Sequence, residues 1–115
     1  LNDYWVQKEI EVECCRMEDW AAANSIKLVD ILWIDVQGSE CMAFEGFGDL
    51  LSEVKIIFTE VGLKGYYDNH SLKPDIDNIL LKAGFKELKD KFTKPSWACE
   101  LASEGDAIYI NRKFI

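Results

Sequence analysis

The sequence predicts an α/β fold of three layers, with a mostly parallel sheet that ends in an antiparallel pair of strands. Two apolar runs, residues 31–36 and 55–61, do not alternate with polar residues, which is typical of strands covered on both faces. About 18 residues lie between them, enough for a helical crossover between parallel strands. No helical pattern separates the last two predicted strands, residues 85–92 and 106–111, so we expect this pair to be antiparallel.

Two elements are predicted before the first buried strand. Residues 9–14 alternate glutamates with Ile10, Val12 and Cys14, and this period of two predicts a half-exposed or edge strand. Residues 17–24 are rich in alanine and begin with acidic residues, which predicts a short helix. The predicted order of elements is therefore β-α-β-α-β-α-β-β.

Two further helices connect the later strands. Residues 41–51 form a helical stretch, with Gly38 as a tight turn out of the strand and Ser39 as the N-cap. Residues 72–83 place apolar side chains at helical spacing, and Gly84 closes this helix. Both helices follow a predicted strand, as α/β connections require.

Composition limits the classes of function. The chain has 115 residues, of which 49% are hydrophobic, and we expect a single α/β domain over residues 1–115. Its formal net charge is −8, which argues against nucleic acid and anionic membrane surfaces as partners. No apolar run reaches the roughly 20 residues of a membrane-spanning helix, and we expect no signal peptide at the start of the chain.

The cysteine pattern favours free thiols in the reducing cytoplasm. No Cys-x-x-Cys pair occurs, and the single histidine, His70, has no cysteine at ligand spacing. A zinc site is therefore not expected.

Polar residues follow both buried strands, where ligands bind in open parallel sheets. Asp35 interrupts an apolar run and is followed by Gln37, Gly38 and Glu40, while Glu60 closes the next strand. We expect a polar crevice between these acids and the amide groups at the helix start.

Structural roles for the same residues stay open. Asp35 can bond the backbone of the turn, and Glu40 can act as a first-turn acid that favours the helix dipole. His70 can be a solvated loop residue. Tyr66 and Tyr67 can line an acceptor pocket, although at least one of them is expected to pack on the sheet.

Several segments resemble the C-terminal half of the FkbM-family methyltransferases. Residues 31–40, Ile-Leu-Trp-Ile-Asp-Val-Gln-Gly-Ser-Glu, are similar to the family's strand, turn and helix start. Further similar segments are Phe44-Glu45-Gly46, Leu50-Leu51, residues 79–85 and residues 105–111. Upstream, residues 16–20 resemble the family's Thr-Leu-Asp-Asp segment, from which Arg16 and Glu18 depart.

The resemblance implies part of a Rossmann-like class I fold and an S-adenosylmethionine-dependent O-methyltransferase that acts on a sugar or small-metabolite hydroxyl. With it we predict catalytic roles for Asp35 and His70 and cofactor contacts from Asp35, Gln37 and Gly38. Acceptor contacts are predicted from Glu40, Glu60, Tyr66 and Tyr67.

The same resemblance points to a gap. The family's glycine-rich turn behind a first strand has no counterpart, because Gly46 and Gly48 lie inside or just after a predicted helix. We therefore expect the chain, which begins at Leu1, to be the C-terminal part of a larger methyltransferase and inactive in isolation.

Two alternatives accompany this interpretation. A non-catalytic α/β module for binding or assembly fits the same pattern. A phosphoacceptor receiver domain fits less well, because it requires a pair of acids after an earlier strand and this sequence has none there. The absent first strand would expose the edge at residues 31–36, so we expect either a homodimer through this edge or its coverage by residues 9–14.

Overall fold

The computed structural model describes residues 6–65, 68–88 and 104–115. These residues form an α/β fold, as predicted. The helices and strands are α1 (Met17–Ala23), β1 (Val29–Ile34), α2 (Glu40–Phe47), β2 (Val54–Gly62), α3 (Lys73–Lys82), β3 (Phe85–Glu87) and β4 (Glu104–Asn111). Short 3₁₀ turns span Gly48–Glu53 and Arg112–Phe114.

The four strands form one mixed sheet in the order β1-β2-β4-β3. β1 and β2 are parallel, whereas β4 runs antiparallel to both β2 and β3. The predicted antiparallel pair is confirmed, but the expectation of a mostly parallel sheet is wrong. The reason is that β4 inserts between β2 and β3, and a local pattern of apolar residues does not specify which strand becomes the neighbour.

The two faces of the sheet differ. One face packs against the helices and carries the hydrophobic core, which includes Ile34, Ile57 and Tyr109 as well as Phe44 of α2 and Leu80 of α3. Alternate residues point to the other face, and they too are apolar. They are Ile31, Trp33, Ile56, Phe58, Ile108 and Ile110.

This second face explains the unbroken apolar runs. Trp33 is 73% exposed and Ile31 is 64% exposed, so the described residues cover only one face of β1. The described part of the chain therefore has two layers rather than the predicted three. Both faces of β1 and β2 are nevertheless apolar, and this pattern led to the prediction that both faces are covered.

The strand predicted at residues 9–14 is wrong. These residues are exposed and have no regular secondary structure. A period of two describes a strand only where a neighbouring strand accepts its hydrogen bonds, and this segment pairs with none of the described strands. Coverage of the β1 edge by residues 9–14 is wrong for the same reason, while the homodimer stays a prediction.

One further prediction concerns the end of a strand. The strand predicted over residues 85–92 is β3, which ends at Glu87, and residues 89–92 lie outside the described part of the chain.

Within the described ranges, no helix has both the length and the apolar character needed to cross a bilayer.

A half-buried polar cluster joins α3 to β3 and β4. The hydroxyl of Tyr109 donates to Asp77 Oδ1 at 2.6 Å, and Lys73 Nζ donates to Asp77 at 2.8 Å and to Glu87 at 3.0 Å. Burial, together with the neighbouring Asp77 and Glu87 carboxylates, raises the pKa of Tyr109 well above its usual value. Tyr109 is therefore neutral in the folded protein over the whole ordinary pH range.

Removal of this hydroxyl should weaken the fold. We expect Tyr109→Phe to lower the free energy of unfolding by about 1 kcal/mol at neutral pH, because Asp77 loses a half-buried donor. Since the folded-state pKa of Tyr109 is raised, its contribution holds below about pH 10 and is lost as the pH rises further. Urea unfolding of both chains at pH 7 and pH 10.5 measures both effects. If the free energy of unfolding fell between these pH values by the same amount in Tyr109→Phe as in the wild-type chain, the pH effect would be contradicted.

Candidate active site

The candidate site is the turn between β1 and α2, at the carboxyl end of the only parallel strand pair among the described strands. Ile34 pairs with Thr59, so Asp35 and Glu60 are the next residues at the same end of the sheet. Asp35 is exposed and Glu60 is half-buried. The structure thus places both acids where the sequence predicted them.

Glu40 holds the turn from the inside. Its Oε1 accepts a hydrogen bond from the Val36 amide at 3.1 Å and a longer one from the Gly38 amide at 3.4 Å. The residue is 2% exposed, although it is the first residue of α2. Its carboxylate therefore shapes the turn, and the structure does not place it at the surface, where an acceptor would bind.

Ser71 holds the turn from the other side. Its backbone N–H donates to the Gly38 carbonyl at 2.6 Å, and its Oγ accepts from the Cys41 N–H at 3.1 Å. Ser39 lies at the N-cap of α2, as predicted, but its side chain makes no capping hydrogen bond. Sequence reasoning missed Ser71, because 30 residues separate it from Cys41 and no local pattern signals the contact.

Gly38 and His70 are packed together. Gly38 has a φ of +101°, a left-handed conformation that favours glycine. A Cβ at this position would lie 2.6 Å from His70 Cγ and 2.6 Å from His70 Nδ1. The fold therefore brings the predicted base candidate His70 against the turn that carries Asp35.

Gln37 and Asp35 form an exposed polar pair at the tip of the turn. Gln37 Nε2 donates to Asp35 Oδ1 at 2.9 Å. Gln37 has a φ of +51°, which is uncommon for a residue other than glycine and is found most often at functional sites or tight turns. The described partner of Asp35 is thus a side chain rather than the backbone of the turn.

The remaining predicted acceptor residues are Glu60, on the strand next to β1, and two tyrosines that are not described. Glu60 lies directly opposite Asp106 in the β2–β4 pair, and its carbonyl accepts from Thr59 Oγ1 at 3.0 Å. Tyr66 and Tyr67 lie outside the described residues. Their predicted role in an acceptor pocket stays a prediction.

An apolar groove of about 960 Å³ runs beside the turn. It reaches the turn at Val36 and Ser39, and its apolar walls come from the start of α1, from β1 and from α2. Large side chains that line it are Met17, Trp20, Trp33, Met42 and Phe47. Trp20 and Trp33 are thus exposed side chains that border an open groove and lie outside the buried core.

Metal-ligating groups and glycine turns are the two features that would hold a metal ion or a cofactor. Within the described ranges, no group of three or more His, Cys, Asp or Glu side chains could hold a metal ion. Gly46 lies inside α2 and Gly48 follows it as the C-cap, so neither forms a turn behind a strand. Both polar backbone groups of Gly38 are bonded within the protein. Neither Gly46 nor Gly48 therefore forms a cofactor-binding turn behind a strand, and the predicted cofactor contacts of Asp35, Gln37 and Gly38 stay predictions.

Comparison with known proteins gives two matches. The family model described as "Methyltransferase FkbM domain" matches residues 3–87. The 2-O-methyltransferase NoeI of Sinorhizobium fredii is 32% identical over 71 residues, which are 59% of this chain and 29% of NoeI. The chain thus spans less than a third of the length of this relative. No solved structure matches the chain.

Proposed function

Because the chain belongs to the FkbM methyltransferase family, we propose that it forms the acceptor-side part of an S-adenosylmethionine-dependent O-methyltransferase for a sugar or small-metabolite hydroxyl. The observation that carries the proposal is the rigid acidic turn at the carboxyl end of β1, with Asp35 exposed at its tip. The relative NoeI is named a 2-O-methyltransferase, and this supports a hydroxyl as the acceptor.

Asp35 has the position of a general base in this proposal. Its carboxylate is exposed, and the hydrogen bond from Gln37 to Oδ1 orients the whole group. Oδ2 is the oxygen that would take the proton. A carboxylate that takes the hydroxyl proton typically contributes about 10²–10⁴-fold to the rate. His70 is the second candidate, since its ring lies against Gly38 in the same turn.

S-adenosylmethionine would supply an already activated methyl group. The protein then has to hold the acceptor oxygen in line with that group, and such alignment depends on a fixed cofactor. Among the described residues, Asp35 and Gln37 offer exposed polar groups, and the groove offers apolar walls. The remaining contacts have to come from outside the described residues.

We therefore expect the isolated chain to show no useful methyl transfer. Calorimetric titration with S-adenosylmethionine, followed by turnover assays with sugar acceptors, tests this expectation. Weak or absent binding and no turnover are expected, because the glycine-rich cofactor turn is missing from the sequence. Robust methyl transfer by the chain alone would contradict the proposal.

A non-catalytic assembly module is the second candidate, and one observation favours it. Among the described strands, β1 lies at the edge of the sheet, and Trp33 next to the groove is 73% exposed. Apolar edges of this kind pair with other chains, here with a second copy through β1. Sedimentation equilibrium tests this role, since a monomer at every concentration would contradict it.

A further inference from the structure

We propose that Ser71 is a positioning residue for the methyl-transfer site, because it fixes the Asp35–Gln37 pair through the turn from the loop before α3. The inference rests on the proposed function, in which this turn faces the acceptor. Ser71 touches neither Asp35 nor Gln37 directly. Its effect is transmitted through Gly38 and Cys41, which lie on the two sides of the helix start.

The two hydrogen bonds of Ser71 engage both sides of the α2 start. The N–H binds the carbonyl of Gly38 before the helix, and the Oγ binds the amide of Cys41 inside its first turn. Ser71 is 7% exposed, so water does not readily replace either bond. A residue distant in sequence thereby determines how α2 leaves the turn.

The Oγ of Ser71 performs the task that an N-cap side chain normally performs. The first amides of a helix lack partners within the helix, and a Ser, Thr, Asp or Asn at the N-cap usually accepts from one of them. Ser39 occupies that position without a capping bond, and Ser71 supplies the acceptor instead. The cap of α2 therefore depends on the placement of the loop.

The adjacent residue strengthens this coupling. The His70 ring lies so close to Gly38 that no Cβ fits between them, so two consecutive loop residues contact one residue of the turn. The loop before α3 and the turn after β1 are thus joined by hydrogen bonds and by ring packing. A change in this loop is expected to alter the geometry of Asp35 and Gln37 without contact to either.

Ser71→Ala tests the proposal, with Ser39→Ala as the matched control. Ser71→Ala removes the acceptor for Cys41, and we expect amide exchange of Cys41, measured by NMR, to accelerate by about tenfold or more. Ser39→Ala removes the hydroxyl at the local N-cap, and we expect no change at Cys41. The Gln37 side-chain amide resonance should move in Ser71→Ala and stay in place in Ser39→Ala.

The Gln37 resonance separates positioning from a purely structural role. Faster Cys41 exchange with an unmoved Gln37 resonance would overturn the proposal, and so would unchanged exchange at Cys41. Ser71→Thr keeps the hydroxyl and should restore both signals. If Ser71→Ala does not fold, fast exchange of Cys41 in the wild-type chain would overturn the proposal by itself. None of these measurements requires cofactor binding or methyl transfer. A failure of the Ser71 proposal can therefore be distinguished from a failure of the proposed function.

Discussion

Alanine in place of Gly38 should lower the free energy of unfolding by about 3 kcal/mol. Two costs combine at this position. The backbone has a φ of +101°, which is strained for alanine, and the new Cβ would lie 2.6 Å from the His70 ring. Urea unfolding of Gly38→Ala beside the wild-type chain measures the sum of the two.

Gly84→Ala is the matched control for this prediction. Gly84 has a φ of +94°, but a Cβ there would meet nothing within 4 Å. It should cost about 1–2 kcal/mol, from the backbone alone. The excess in Gly38→Ala should disappear when His70→Ala is added, because the ring is then absent. Equal costs for both glycine variants would show that His70 does not press on the turn.

Glu40→Ala should have an effect of similar size, a loss of about 2–4 kcal/mol in the free energy of unfolding. The buried carboxylate accepts from the amides of Val36 and Gly38, and alanine leaves both donors without it. Glu40→Gln keeps a carbonyl oxygen of the same shape, so it should lose less. Thermal and urea unfolding measure the series.

Glu45→Ala serves as control for the Glu40 series. Glu45 lies on the same helix with an exposed side chain, and its removal should change stability by no more than about 0.5 kcal/mol. If Glu40→Ala were tolerated as well as Glu45→Ala, the carboxylate would not hold the turn. Glu40 would then be available again for the acceptor contact that the sequence predicted.

Local patterns predicted the elements that depend on local chemistry. β1, β2 and α3 appear within a few residues of their predicted bounds, because apolar runs and a helix with Pro74 in its first turn are specified by neighbouring residues. The edge strand at residues 9–14 and the mostly parallel character of the sheet were predicted wrongly. Both depend on which strand is adjacent, and that choice is made by the whole sheet.

The site divides in the same way. Asp35, Gln37 and Gly38 lie in the turn after β1 because the strand and its turn are adjacent in sequence. Ser71 was missed, since only the folded chain brings it to Gly38 and Cys41. Glu40 was predicted to contact the acceptor, but the structure shows its carboxylate turned inward to the backbone. Sequence spacing does not distinguish an acid that faces solvent from one that closes a turn.

The central claim is tested most directly by a chimera of NoeI, in which the corresponding residues of this chain replace the matched segment. The chimera keeps the parts of NoeI that lie outside the matched segment. Transfer of a labelled methyl group from S-adenosylmethionine is measured with and without Asp35→Asn. We predict transfer by the chimera and a fall of about 10²–10⁴-fold on Asp35→Asn. An unchanged rate in the Asp35→Asn chimera would contradict the role of this turn in methyl transfer.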